Sequence, residues 1–126
     1  MYDSAMAVLV VTDDLFFASK IEAVAAQLGV SLRLIPDLSR TAEVFGCAPY
    51  RLAIVDLNAS KGASLDAVQE IRRRDPQLPI LGFCSHVQLK LQEQAKSAGC
   101  TEVVPRSVFA RQLPSFLTGK WQSALE

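Results

Sequence analysis

Histidine is almost absent from this chain: His86 stands alone in 126 residues. With one imidazole there is no set of nucleophile, base and orienting group, which argues against a hydrolase. Cysteine is also scarce. Cys47, Cys84 and Cys100 are odd in number and have no C-x-x-C spacing, so they define neither a disulfide framework nor a zinc site. They read as reduced thiols in a cytoplasmic protein. Net charge is missing too. The formal charge is zero and the isoelectric point about 6.6, leaving no global field to draw the chain to nucleic acid or an anionic membrane. No apolar run approaches the ~20 residues of a membrane-spanning helix. The N-terminus has no basic region before its apolar run, which excludes a secretory signal. Repeats and low-complexity segments are lacking as well. What these absences leave is one cytoplasmic domain over residues 1–126, half of it apolar and long enough to bury a core.

What is present is a set of short, β-branched apolar runs that stop on acids. Leu52-Ala53-Ile54-Val55 ends at Asp56, and Ala7-Val8-Leu9-Val10-Val11 ends at Thr12-Asp13-Asp14. Such runs read as strands buried on both faces, with the acids at their carboxyl ends. Between the runs the apolar period changes from strand-like to helical. Phe17, Ile21, Val24 and Leu28 share one helical face that Gly29 terminates. Ser31 to Ile35 forms a short strand, and Ser39 to Phe45 a short helix. Ser64 is placed to cap a helix running to about Arg74, which Asp75-Pro76 closes. Pro79 to Phe83 is a fourth buried strand. Val87, Leu91, Ala95 and Ala98 mark another helix ended by Gly99, and Val103-Val104-Pro105 a fifth strand. The last helix, Ser107 to about Thr118, is broken by Pro114, which suits the first turn of a second piece. Arg72-Arg73-Arg74 closes a helix, where the macrodipole favours cations, so no nucleic-acid site is needed to explain it. Strand and helix alternating five times require an α/β fold: a doubly wound, five-stranded parallel sheet with a core over about 7–118 and a short tail over 119–126.

In such a sheet the strand ends meet near the topological switch point. There Thr12, Asp13 and Asp14 face Asp56, Cys84, Ser85 and Arg106. Neighbouring carboxylates raise one another's pKa unless a cation separates them. A hard divalent ion such as Mg²⁺ suits that position, and Arg106 adds a fixed charge suited to a phosphoryl group. An aspartate in this setting is equipped to accept phosphate. Each residue also has a plainer reading. Asp56 can bond loop amides, Asp13 or Asp14 can cap the first helix, and Cys84 can be a packed thiol rather than one activated by Arg106. His86 is either a base or pH sensor in the loop after the fourth strand or a surface histidine without such a role. Leu89 and Phe116 are candidates for exposure near the last strand, where a lone exposed leucine needs no special explanation, and Trp121 belongs to the tail.

From about Ala7 to Leu117 the sequence resembles the receiver domains of two-component response regulators, the CheY-like, flavodoxin-like (βα)5 superfamily. Val10-Val11-Thr12-Asp13-Asp14 is similar to the family's first-strand motif, and Asp56-Leu57-Asn58 to its phosphoacceptor motif. Ala98-Gly99-Cys100-Thr101-Glu102-Val103-Val104-Pro105-Arg106 resembles the segment A-G-A-x-x-Y-L-x-K. The resemblance implies Asp56 as phosphoacceptor, with Asp13, Asp56 and the carbonyl of Asn58 as metal ligands. Counted without a gap to Gly29, the family's other acid falls on Thr12, which has no charge. Its hydroxyl residue falls on Cys84, beside Ser85, its lysine on Arg106 and its aromatic switch residue on Val103. Cys84 is a weak hydrogen-bond donor, and arginine does not replace lysine conservatively.

The expectation is therefore an atypical receiver, a pseudo-receiver without catalytic activity of its own. It would work in signal transduction by docking a histidine kinase or downstream effector, with a weakened Mg²⁺ site and phosphorylation impaired or absent. Nothing but a short tail follows the fold, so no output domain is expected in this chain. The alternative on the same fold is a working Mg²⁺-dependent phospho-receiver. From another class, a small flavin- or nucleotide-binding enzyme fits poorly, because acids in the first loop would repel the phosphate. Thr12→Asp restores the missing carboxylate and is expected to strengthen Mg²⁺ binding in a calorimetric titration. Unchanged affinity would favour Asp13-Asp14 as the family's acid pair.

Overall fold

The computed structural model describes residues 7–36, 50–58, 63–85 and 89–119. The apolar runs form β1 (Ala7–Val11), β2 (Leu32–Ile35), β3 (Tyr50–Asp56), β4 (Ile80–Cys84) and β5 (Glu102–Pro105). All pairings are parallel, in the order β2-β1-β3-β4-β5. Parallel neighbours need crossovers, and the helices that follow the strands are α1 (Leu15–Leu28), α2 (Ala63–Arg74), α3 (Leu89–Ala98), α4 (Arg106–Arg111) and α5 (Leu113–Thr118). The doubly wound sheet expected from the sequence is thus present. Between β1 and β3 the winding reverses direction, and the carboxyl ends of those two strands flank the resulting crevice.

Alternation along each strand builds two cores. Val8, Val10, Leu52, Ile54, Leu81 and Phe83 face one side, where Phe17 and Ile21 of α1, Phe109 of α4 and Leu117 of α5 pack on them. Leu9, Val11, Ala53 and Val55 face the other, against Ala67, Val68 and Ile71 of α2 and Ala95 of α3. With both faces covered, Leu52 through Val55 carry almost no exposed surface, which explains their unbroken apolar run. Among the described residues, no helix is long and apolar enough to cross a membrane.

Helix ends follow the expected chemistry. Gly29 adopts a left-handed φ of 72° and its N–H reaches the carbonyls of Ala25 and Ala26. Gly99, at φ 135°, closes α3 against α2, and a Cβ there would lie 2.9 Å from the Arg72 Cβ. The arginine run is spent internally. Arg72 donates to the carbonyls of Gly99, Asp75 and Pro76, while Arg73 and Arg74 both pair with Glu70. The final helix is interrupted at Gln112, and Pro114 sits in the first turn of the second piece, as its fixed φ favours.

Two expectations are corrected. Ser64 lies inside α2 rather than at its N-cap, since the helix begins at Ala63, and its hydroxyl donates 2.7 Å back to the carbonyl of Asp56. Phe116 is buried at 4% exposure instead of lying on the surface, since its ring stacks 5.5 Å from that of Phe109. Leu89 is exposed, as expected. The short helix over Ser39 to Phe45, together with Cys47, His86 and Trp121, lies outside the described residues.

Phe109 joins three rings: it stacks on Phe83 at 4.6 Å and contacts Phe17 at 5.6 Å and Phe116 at 5.5 Å. Phe109→Ala removes the centre of this column. It is expected to lower stability by about 3–5 kcal/mol in urea unfolding. A loss under about 1 kcal/mol would mean that the core refills the space.

Candidate functional site

The site is assembled at the carboxyl edge of the sheet, from the ends of β1 and β3 and the junction of β5 with α4. Asp56 ends β3 in register with Phe83 and is buried, with 2% of its surface exposed. A carboxylate so placed must find partners, and both oxygens do. Oδ1 accepts from the backbone N–H of Asn58 at 3.0 Å. Oδ2 accepts from the Thr12 hydroxyl at 2.9 Å and from Arg106 Nη2 at 3.4 Å.

Thr12 follows β1 directly and is 2% exposed. Its hydroxyl gives its proton to Asp56 and accepts the N–H of Asp14 at 3.2 Å. Asp14 is the N-cap of α1, accepting from the Phe17 N–H at 3.0 Å through Oδ1. Its other oxygen receives Arg106 Nη1 at 2.9 Å. The four residues therefore close a circuit. Asp14 donates to Thr12, Thr12 to Asp56, and Arg106 to both acids.

Arg106 reaches this position as the first residue of α4, after Pro105 at the helix N-cap. Its guanidinium carbon lies 4.9 Å from the Phe17 ring centre and 5.5 Å from that of Phe83, within cation–π range of both. Position and charge are thus set together by two aromatic faces and two carboxylates.

The remaining expected residues lie around the circuit, and Asn58 joins it through its backbone N–H. Asp13 is exposed beside Thr12. Asn58 also accepts the Ser85 N–H through Oδ1 at 2.6 Å, tying the end of β3 to the end of β4. Cys84 is fully buried within the core that faces α2 and α3. Val103 is buried on β5 opposite Gly82. Cys100 lies in the same core, where burial pushes its thiol pKa up to about 12 and keeps it protonated.

The Mg²⁺ set of Asp13, Asp56 and Asn58 is limited by the same geometry. Among the described residues no group of three His, Cys, Asp or Glu side chains is placed to hold a metal ion, a pattern that two carboxylates and the Asn58 carbonyl would not form. Asp56 has hydroxyl and guanidinium donors on one oxygen and an amide on the other. This arrangement does not fit a divalent ion unless Arg106 is displaced.

The sequence reading missed three things here. The Asp14–Arg106 pair spans 92 positions and leaves no local mark. Phe17 was assigned to the core stripe, whereas its ring also carries Arg106. Leu15 and Phe16, exposed at 78% and 92%, begin α1 beside the site. Both fall outside the stripe of Phe17, Ile21, Val24 and Leu28, which was the available clue to their exposure.

No family model matches the chain. A curated relative, the response regulator protein PilR of Pseudomonas aeruginosa, is 25% identical over 100 residues, or 79% of this chain and 22% of that protein. The chain thus spans about a fifth of that relative's length. Solved structures align far more completely. A CheY-like response regulator receiver domain protein from Methanospirillum hungatei superposes with a TM-score of 0.81 at 14% identity, covering 95% of this chain and 96% of its own. A response regulator from Burkholderia pseudomallei, solved with a phosphorylated aspartic acid and a calcium ion, gives 0.78 at 16% identity, covering 94% and 72%. The receiver domain of NtrX from Brucella abortus gives 0.71 at 24% identity, covering 84% and 90%. These likenesses establish that the chain has the CheY-like receiver-domain fold.

The Asp14 carboxyl is held below its usual 3.8, first by the Phe17 N–H and then by Arg106. Its folded pKa is depressed, so its stabilisation is complete above the unfolded value and is lost as pH falls through the folded one. Asp14→Asn keeps a capping oxygen and removes the titration. It is expected to flatten the loss of stability below about pH 3.8 in acid unfolding, while Asp14→Ala costs about 1 kcal/mol at neutral pH. An unchanged acid limb in Asp14→Asn would show that other groups carry it.

Proposed function

We propose that the protein is an atypical receiver domain acting in two-component-type signal transduction, through docking to a histidine kinase or a downstream effector in the cytoplasm. Phosphorylation of Asp56 is impaired or absent, and the domain has no catalytic activity of its own. The receiver-domain fold and the response regulator relative support the signalling class. The observation that carries the impairment is the closed circuit around Asp56. Both oxygens of Asp56 already accept hydrogen bonds from the protein, and the guanidinium and hydroxyl on Oδ2 lower its nucleophilicity and must rearrange for a metal and a phosphoryl group to enter together.

Docking is supported by where the exposed apolar residues fall. Leu15 and Phe16 begin α1, and Leu89 begins α3; these helices follow β1 and β4. All three therefore belong to the sheet edge that holds Asp56. Exposed aromatic and aliphatic side chains grouped at one edge are what a partner protein buries.

Incubation with acetyl phosphate and Mg²⁺, followed by intact mass measurement, tests this reading with Asp56→Asn in parallel. Little or no adduct is expected on the wild-type chain. A near-stoichiometric adduct that disappears in Asp56→Asn would instead make this a working phospho-receiver.

A further inference from the structure

The circuit around Asp56 contains its own positive charge. We propose that Arg106 is a resident cation, filling between Asp14 and Asp56 the electrostatic place of a divalent ion. The native site therefore takes up no Mg²⁺, and the ability to bind one lies latent in its acids. This inference rests on the proposed function only in placing Asp56 at the centre of the site.

Charge balance is the first argument. Thr12 contributes a hydroxyl rather than a further acid, and the two carboxylates that Arg106 bridges are Asp14 and Asp56. One is answered by the guanidinium they share. Asp14 also caps α1, a fourteen-residue helix whose N-terminus carries a partial positive charge. The pair is thereby neutralised without a dication.

Geometry supplies the second. Magnesium requires oxygen ligands at about 2.0–2.1 Å in a near-octahedral shell. Asp56 Oδ2 already has Arg106 Nη2 at 3.4 Å and the Thr12 hydroxyl at 2.9 Å, so an ion bound to that oxygen would meet the guanidinium. Arg106 cannot yield easily. Its guanidinium lies over Phe17 and Phe83, and its buried Nε has no hydrogen-bond partner among the described residues. A side chain that forgoes a hydrogen bond to sit between two acids and two rings is held there by charge and packing.

Free Mn²⁺, followed by its electron paramagnetic resonance signal at constant ionic strength, is the probe. Wild type, Asp56→Asn, Arg106→Gln and the double variant Arg106→Gln with Asp56→Asn are compared, with folding checked by circular dichroism. The wild type is expected to leave the free signal unchanged. Arg106→Gln is expected to remove an equivalent of it, and the added Asp56→Asn change to restore it. Wild-type uptake that Asp56→Asn abolishes would overturn the proposal, as would a folded Arg106→Gln that takes up nothing. The wild-type measurement decides against the proposal even where Arg106→Gln does not fold. Mn²⁺ uptake by the wild type without a phosphate adduct would defeat the resident cation alone, whereas a near-stoichiometric adduct on Asp56 would defeat the proposed impairment.

Discussion

The structure turns on how a buried carboxylate at the end of β3 is kept in balance. Asp56 is almost wholly removed from solvent. A lone ionised group there would cost several kcal/mol. The fold meets this cost with three separate segments: a hydroxyl from the end of β1, an amide from the loop after β3 and a guanidinium from the start of α4. Because these contacts also order the start of α1 through Asp14, the site doubles as a clasp between the first strand and the last.

The clasp depends on packing beneath it. Phe17, Phe83, Phe109 and Phe116 form a continuous column through one core, and the guanidinium of Arg106 rests on its upper two rings. Charge and apolar contact thus act on the same side chain. Lysine at this position would carry the charge but lack the planar face that stacks on rings and the fork that reaches two acids at once. The presence of arginine therefore bears on what the site can do, and not only on how well it is neutralised.

Most of the fold was legible because its cues are local. Strand runs that stay apolar on both faces, glycines 29 and 99 after the helical stripes, and Pro114 inside the last helix each act within a few residues. The identities of the residues at the sheet edge were legible as well, since alternation of strand and helix sends every strand end to one side. Their partnerships were not. That Arg106 chooses Asp14 as well as Asp56, and that Thr12 donates rather than standing by, depend on contacts across 92, 50 and 44 positions. Ser64 misled for a related reason. Serine at a helix start usually caps, but here the helix begins one residue earlier, at Ala63, and the hydroxyl gives its proton to the carbonyl at the end of β3.

At the opposite edge of the sheet, Arg72 holds the ends of two helices with one side chain. It donates twice to the Gly99 carbonyl after α3, and also to the Asp75 and Pro76 carbonyls after α2. α3 buries only Ala95 fully, which by itself would make it the first element to detach in thermal fluctuations. Riveted to α2, it opens only when α2 loosens as well. Fluctuations of the two helices are thereby coupled through one side chain, and the face they form is held together at its C-terminal ends.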